Sequence, residues 1–594
     1  MVFLVMKYAV LAELYSKLEA TSKRLEKTYL VSEFIRELKY KDKDELEMYL
    51  LLIKGNIFPS WDNRHLGISD KLVIKTLSSC MGIKPEKVED EWKKLGDLGL
   101  VAGHLVNFRQ QSTLFSTDLT VTKVFANLRK VSQTEGLKSV DTKVKILSEL
   151  LSSADPLSAR YITRSILEDL RVGVADSSLR DAIIWAFLDI NPHYSIEEKS
   201  ITPDNREDYN EYVNIVQSAL DKINDFSEVV LIAKEKGIQG LKDVQIRIKT
   251  PIKVMLGPKV KDFEEGFKVV GKPCQAEYKY DGFRVQIHKK KGKITLFTRR
   301  LDNVTKQFPD VVRAVEKYVS GDNFILDSEV VGYDTKTGKY LPFQSISQRI
   351  KRKYDIEVTA KTFPVEVNVF DILVLEGKEV FVEPFESRRK IIEATIDEKK
   401  GELVLARSLK VDSVKLAEQL FNEALDSGNE GLMLKNLSAP YKPGARVGHM
   451  VKLKPVMETL DLAIVGAEWG NGKRSGWLTS FILACYDPAS GEFLEIGKVG
   501  TGVKELKDDA GSVTFSQLTE LLKPYIIEEK GKLVKVNPKI LLEIEYDEIQ
   551  KSPTYESGFA LRFPRVKNIR YDRSAEDASS LDEVEGFFYN QNKR

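Results

Sequence analysis

The chain has 594 residues, 42% of them apolar and 30% charged, with a formal net charge of +2. That length exceeds what one hydrophobic core supports, so three or four globular domains are expected, and no apolar run is long enough for a membrane span. With so little net charge, nucleic-acid binding has to come from local basic clusters, and the three scattered cysteines (Cys80, Cys274, Cys485) exclude a disulfide framework or a four-cysteine zinc module and suit a reducing, cytoplasmic setting.

The apolar start Met1–Met6 lacks the basic leader of an export signal, and Lys7 and Glu13 interrupt it. Leu11, Leu14, Tyr15 and Leu18 continue at helical spacing, and Met6 is an alternative start. Residues 1–240 read as an all-α domain, with helices expected over Asp141–Leu151, Ala159–Leu170 and Ser177–Phe187. Between the last two, Leu170–Leu179 reads as a helix end, a glycine turn and a new helix capped by Asp176 or Ser177. Such a helix start suits a phosphate, and equally a plain helix–turn–helix packing unit.

Beyond Gly240–Pro251 alternating apolar and polar runs take over: Phe283–His288, Lys293–Phe297, Phe324–Tyr333, Val365–Leu375 and Leu432–Lys435. Helices are expected at Val311–Tyr318 and Ser387–Thr395, giving an α+β domain with mainly antiparallel sheet over residues 241–456. From residue 457 to 594, strands at Leu462–Glu468, Thr479–Tyr486, Phe493–Val499 and Ile540–Tyr546 recur with glycine turns, the rhythm of a small β-barrel closed by a charged helix over Ala575–Phe588.

The most informative stretch is Glu277-Tyr-Lys-Tyr-Asp-Gly-Phe-Arg284. Lys279 stands on a strand before an Asp-Gly turn. A lysine amine, with an ordinary pKa of about 10.4, becomes a nucleophile when other cations and a metal ion surround it. Taken alone, the motif describes a solvated lysine; its companions change the reading. Arg284 and Arg299 follow. In Phe324–Asp334, Asp327 and Glu329 lie two apart on one face of an apolar strand, a costly arrangement unless they meet a metal, a ribose or a cation. Phe370 ends another apolar strand, where it either stacks on a base or packs the core, and Glu430 precedes a buried strand as a candidate metal ligand. Lys452 and Lys454 face one side, and two like charges held together need an anion, which a triphosphate supplies. From Lys551 to Arg573 six basic residues, Arg565 among them, stand against two acids.

These segments, in this order, resemble the six motifs of nucleotidyltransferases that form lysyl-AMP or lysyl-GMP: DNA ligases, RNA ligases and capping enzymes. Leu170–Leu179 with Asp141–Leu147 resembles the helical DNA-binding domain of archaeal and eukaryotic-type ATP-dependent DNA ligases, which the other two groups lack. The missing cysteines disfavour the NAD-dependent ligases. The resemblance spans essentially the whole chain. It implies a helical DNA-binding domain, an adenylation domain and a C-terminal OB-fold barrel that swings between steps. It implies ATP and Mg²⁺ as cofactors, Lys279 as the adenylated nucleophile, Glu277 on the adenine amino group and Phe370 on the ring. Arg284, Arg299 and Glu329 would hold ribose and phosphates, and Arg446, Lys452 and Lys454 the α-phosphate region. Glu329 and Glu430 would bind metal, and Arg565 would orient pyrophosphate. The implied substrate is nicked duplex DNA, sealed by a monomer in replication, repair and recombination. Gln111–Phe115 resembles the sliding-clamp-binding peptide of archaeal ligases, with Phe587-Phe588 as the competing candidate.

Overall fold

Leu11, Leu14, Tyr15 and Leu18 are all buried on one side of the helix Tyr8–Ala20, as their spacing predicts. The computed structural model describes residues 6–59, 62, 64–107, 119–134, 136, 139–188, 192–195, 200–203, 206–350, 352, 354–444, 448–455, 458–506 and 512–591. Up to Lys242 the regular structure is helical, apart from a two-stranded ribbon of Pro192–Ser195 with Ser200–Pro203. The helices expected in the middle of this region form over Ser139–Ser153, Pro156–Ile166 and Asp176–Phe187. Gly173 takes a left-handed φ of 67° at the turn between the last two. Neither Asp176 nor Ser177 caps the helix that follows, because its N-cap is Ala175. Asp176 instead forms ion pairs with Lys54 at 2.7 Å and Lys253 at 2.9 Å; two ammonium groups hold the carboxylate that would otherwise fold back on the helix amides.

The chain forms two compact units: residues 1–68, 115–153 and 164–455 in one, and 69–114, 154–163 and 456–594 in the other. Among the described residues no helix is long and apolar enough to cross a membrane.

Besides that ribbon, the first unit holds two sheets. In chain order their main strands, apart from two-residue strands at Tyr340–Leu341 and Lys378–Glu379, are β1 (Cys274–Lys279), β2 (Phe283–Lys290), β3 (Lys293–Thr298), β4 (Asn323–Tyr333), β5 (Val365–Leu375), β6 (Leu403–Leu405), β7 (Ser408–Val411), β8 (Gly431–Asn436) and β9 (Met450–Leu453). The smaller sheet has the order β7-β1-β8-β9, antiparallel throughout. Side chains alternate across it. Cys274, Ala276, Tyr278, Leu432, Leu434, Val451 and Leu453 pack one face against the helices Phe263–Val270 and Val414–Asp426. The other face carries Glu277, Lys279, Lys435, Lys452 and Lys454. The larger sheet runs β6-β5-β4-β2-β3, with β6 parallel to β5 and the other neighbours antiparallel. Its core packs against the helices Pro309–Tyr318 and Phe385–Thr395 through Val311, Val315 and Ile392.

The segment ahead of β1 is tied to β2 from the side. Ile252 donates its N–H to Gln286 Oε1 at 3.0 Å, and Lys249 donates to Nδ1 of the fully buried His288 at 3.1 Å. Burial pushes the His288 imidazole down to about 3, so it is neutral and accepts at Nδ1.

The second unit contains the C-terminal sheet domain. Its strands β10 (Leu460–Trp469), β11 (Leu478–Asp487), β12 (Glu492–Val499), β13 (Leu541–Glu545) and β14 (Arg565–Arg570) run in the order β12-β11-β10-β13-β14. Val566 N–H donates to Thr501 O at 2.9 Å, which ties β14 to the residues just after β12. The expected charged helix divides here. Ser574 and Asp577 form a capping box on a short 3₁₀ turn at Ala575–Asp577, and the α-helix proper is Leu581–Gln591, whose Phe588 meets Phe559 with ring centroids 5.2 Å apart.

Candidate active site

Lys279 closes β1, an interior strand flanked by β7 and β8, and Gly431 of β8 lies opposite it. The same register continues to Lys454, just beyond β9. Gly431 has a φ of 132°, and a Cβ there would fall 2.3 Å from Leu453 O. With no side chain between them, Lys279 and Lys454 both reach Glu430 Oε2; the Lys454 contact is 2.8 Å. The Glu430 backbone N–H donates to Lys279 O at 2.7 Å, so this acid is fixed from both ends. Burial would raise the Glu430 carboxyl, but Lys279 and Lys454 outweigh it and hold it well below the usual carboxylate range.

Across the larger sheet Arg284 pairs with Glu329, and Glu329 with Asn368. Arg299 follows the end of β3 on an exposed turn, in the register position next to Arg284. Arg284 and Asp327 form a two-pronged ion pair at 2.9 and 2.6 Å, and Tyr441 donates to the same carboxylate at 2.8 Å. Of the two carboxylates expected on one face, Asp327 therefore meets a cation. Glu329 keeps an exposed edge; burial pushes its carboxyl up to about 8, against the pull of Lys279 and Arg284. Charged oxygens and nitrogens from both sheets thus act on one another here.

Phe370 lies mid-strand on β5 rather than at a strand end. Its ring has Arg284 on one sheet, 5.3 Å from the centroid, and Lys435 Nζ on the other, 4.7 Å away. Glu277 is 2% exposed. Its Oε2 meets Lys435 at 2.5 Å, while the buried Oε1 accepts no hydrogen bond. Lys435 and Asn368 are the residues that sequence reasoning passed over. Lys435 ends the run Glu430-Gly-Leu-Met-Leu-Lys435, in which the acid is the more conspicuous charge. Asn368 is fully buried beside Glu329 with Nδ2 unpartnered, and an asparagine inside a Val-rich run was its available signal.

Lys452 lies on β9 opposite Met433, on the face that carries Lys279. Arg565 begins β14 in the second unit and is exposed. Arg446 and the segment Gln111–Phe115 lie outside the described residues.

Three family descriptions match the chain: DNA ligase N terminus over residues 7–184, ATP dependent DNA ligase domain over 254–454, and ATP dependent DNA ligase C terminal region over 474–573. DNA ligase of Nanoarchaeum equitans is 48% identical over 583 residues, covering 98% of each chain. The chain belongs to the ATP-dependent DNA ligase family. DNA ligase of Thermococcus onnurineus is 39% identical over 98% of this chain and 97% of its own. A solved structure named Pmar-Lig_PreS3 shares the fold, with a TM-score of 0.54 and 16% identity over 94% of this chain and 99% of that one. Membership of the ATP-dependent DNA ligases makes the chain an ATP-using enzyme that seals nicks in DNA.

Among the described residues no three His, Cys, Asp or Glu side chains gather as a metal cage. Mg²⁺ needs none, since it keeps several waters and takes one or two carboxylates together with substrate phosphates. Glu430 and Glu329, whose protonation the Glu430 charge raises, fit that demand.

Proposed function

We propose that Lys279 is the adenylated residue of this ligase and that the two sheets of the first unit form its nucleotide site. The observation that carries this reading is the convergence of Lys279 and Lys454 on Glu430, beside Glu329 and Arg284. In the first step Lys279 Nζ loses a proton and attacks the α-phosphorus of ATP. An N–P bond forms, the bond to the bridging oxygen breaks, and pyrophosphate leaves. A 5′-phosphate oxygen at the nick next attacks that phosphorus and frees the lysine. The 3′-hydroxyl then attacks the 5′-phosphate, forms the phosphodiester and expels AMP.

Glu277 accepts from the adenine amino group through its unpartnered Oε1, and Phe370 stacks on the ring. Arg284, Arg299 and Glu329 hold ribose and phosphates. Arg446, Lys452 and Lys454 face the α-phosphate region, and Arg565 orients the leaving pyrophosphate. Glu329 and Glu430 are the residues that would hold Mg²⁺, which when bound supplies neutralisation of phosphate charge. The fixed cations stabilise charge where it builds up during each displacement. Residues 1–240, 241–456 and 457–594 act as DNA-binding, adenylation and OB-fold domains of a monomer, and Gln111–Phe115 docks on a sliding clamp.

Intact-protein mass spectrometry tests the assignment of Lys279. Wild type incubated with ATP and Mg²⁺ gains one adenylyl group, and Lys279→Ala gains none while still binding nicked duplex. An adenylyl adduct on the variant would sink the assignment.

A further inference from the structure

The carboxylate of Glu277 has one oxygen in use and one to spare, and Lys435 decides which. Glu277 lies opposite Met433, and Lys435 opposite Gln275, so the two charged residues are diagonal neighbours across β1 and β8, within reach of a long side chain. Lys435 is 5% exposed. Its Nζ is 2.5 Å from Glu277 Oε2 and 4.7 Å from the ring centroids of both Phe370 and Phe385. Two aromatic faces and an ion pair with one carboxylate oxygen therefore surround this ammonium, whose Nζ makes no hydrogen bond. Arg389, the other cation near Glu277, stands 3.9 Å from Oε1 and spends its guanidinium on Glu393 and Ala406 O. Oε1 is left buried with no donor, an unfavourable state unless a ligand supplies one.

We propose that Lys435 is a positioning residue for base selection: it occupies Oε2 of Glu277, turns Oε1 toward the base held against Phe370, and so sets the preference for a purine with an exocyclic 6-amino group. A carboxylate oxygen in this place accepts from an amine and repels a 6-oxo group. The inference rests on the reading of Glu277 as the adenine contact. Without its ammonium partner the carboxylate has no reason to keep Oε1 aimed at the base, and selectivity falls even though Glu277 is intact.

Adduct formation on Lys279, followed by intact-protein mass spectrometry, gives kcat/KM for ATP and for purine riboside triphosphate, which lacks the 6-amino group. Lys435→Met keeps the bulk between the two rings. It should lower kcat/KM for ATP by about tenfold or more and change the value for purine riboside triphosphate by no more than about twofold. Lys435→Arg should recover most of the ATP advantage, and Glu277→Gln with Lys435→Met should be no worse than Glu277→Gln alone, as expected of two groups acting as one unit. Equal losses on both nucleotides, or no loss on either, would overturn the proposal. Should Lys435→Met not accumulate as folded protein, Lys435→Leu is read the same way. If Glu277→Gln itself leaves the ratio of the two nucleotides unchanged, the adenine contact fails. If that ratio collapses for Glu277→Gln but holds for Lys435→Met, only the role of Lys435 fails.

Discussion

Arg284 grips Asp327 through two parallel N–H···O bonds, from Nε to Oδ1 and from Nη2 to Oδ2, with the carboxylate wholly buried and the guanidinium nearly so. Removing one partner of such a pair strands the other charge away from water. Asp327→Ala should cost about 3–5 kcal/mol of stability. Urea unfolding of the variant against wild type measures it; a change within about 0.5 kcal/mol would show that the pair contributes nothing net.

Gly431 makes a different prediction, because its backbone and not a side chain is at stake. Alanine there meets Leu453 O at 2.3 Å from a φ of 132° that an L-residue rarely adopts. Relief requires β8 and β9 to part, which draws Lys454 away from Glu430. Gly431→Ala should destabilise by about 2 kcal/mol or more and slow adduct formation on Lys279 by at least about tenfold. A variant with wild-type stability and rate would contradict the account of this strand pair.

His288 ties its strand to the segment before it, and its neutral ring gives that tie a pH dependence. Its pKa falls from about 6.5 in the unfolded chain to about 3 in the folded one, because burial disfavours the charged ring. The unfolded chain then binds more protons between those values. The stability that His288 contributes is complete above about pH 6.5 and is lost as pH falls toward 3. Glu329, with its carboxyl pushed up to about 8, acts in the opposite sense, giving stability that is lost as pH rises from about 4.5 to 8. The comparison to make is therefore between wild type and His288→Gln. Between pH 7 and pH 5 wild type should lose about 2 kcal/mol relative to the variant. Parallel unfolding midpoints for the two proteins would remove the argument.

Leu114 and Phe115 supply the apolar plug of the proposed clamp-binding peptide. Alanine at both positions should weaken binding to a sliding clamp by at least about tenfold and leave sealing of isolated nicks within about twofold. Unchanged clamp affinity, measured by surface plasmon resonance, would end that proposal.

Much of this architecture could be read from residue order, because strand periodicity is local. Val365–Leu375 is found where its alternation places it, and Phe324–Tyr333 and Phe283–His288 differ from the observed strands only at their ends. The helix Val414–Asp426 and the strand Ser408–Val411 were missed, since short or mixed patterns gain their structure from packing against β1. In the site, Lys279, Glu430 and Lys454 stand out by their motifs. What no motif reveals is which charges pair across strands. Asp327 reads as readily as a metal ligand as it does as the partner of Arg284, and Lys435 reads as the end of a strand until Glu277 is seen beside it. The Asp176 cap failed for the same reason: the two lysines that claim it come from distant parts of the chain.

Lys279 and Lys454 both already face a carboxylate of the chain's own making, that of Glu430. If the proposed site holds the nucleotide, loading is an exchange of counter-anions at these two ammonium groups, in which phosphate oxygens succeed the Glu430 carboxylate and no bare charge has to be stripped of water. On the same reading a nucleoside with no phosphate brings nothing to trade at Glu430, so its hold on the protein should be confined to Phe370 and Glu277.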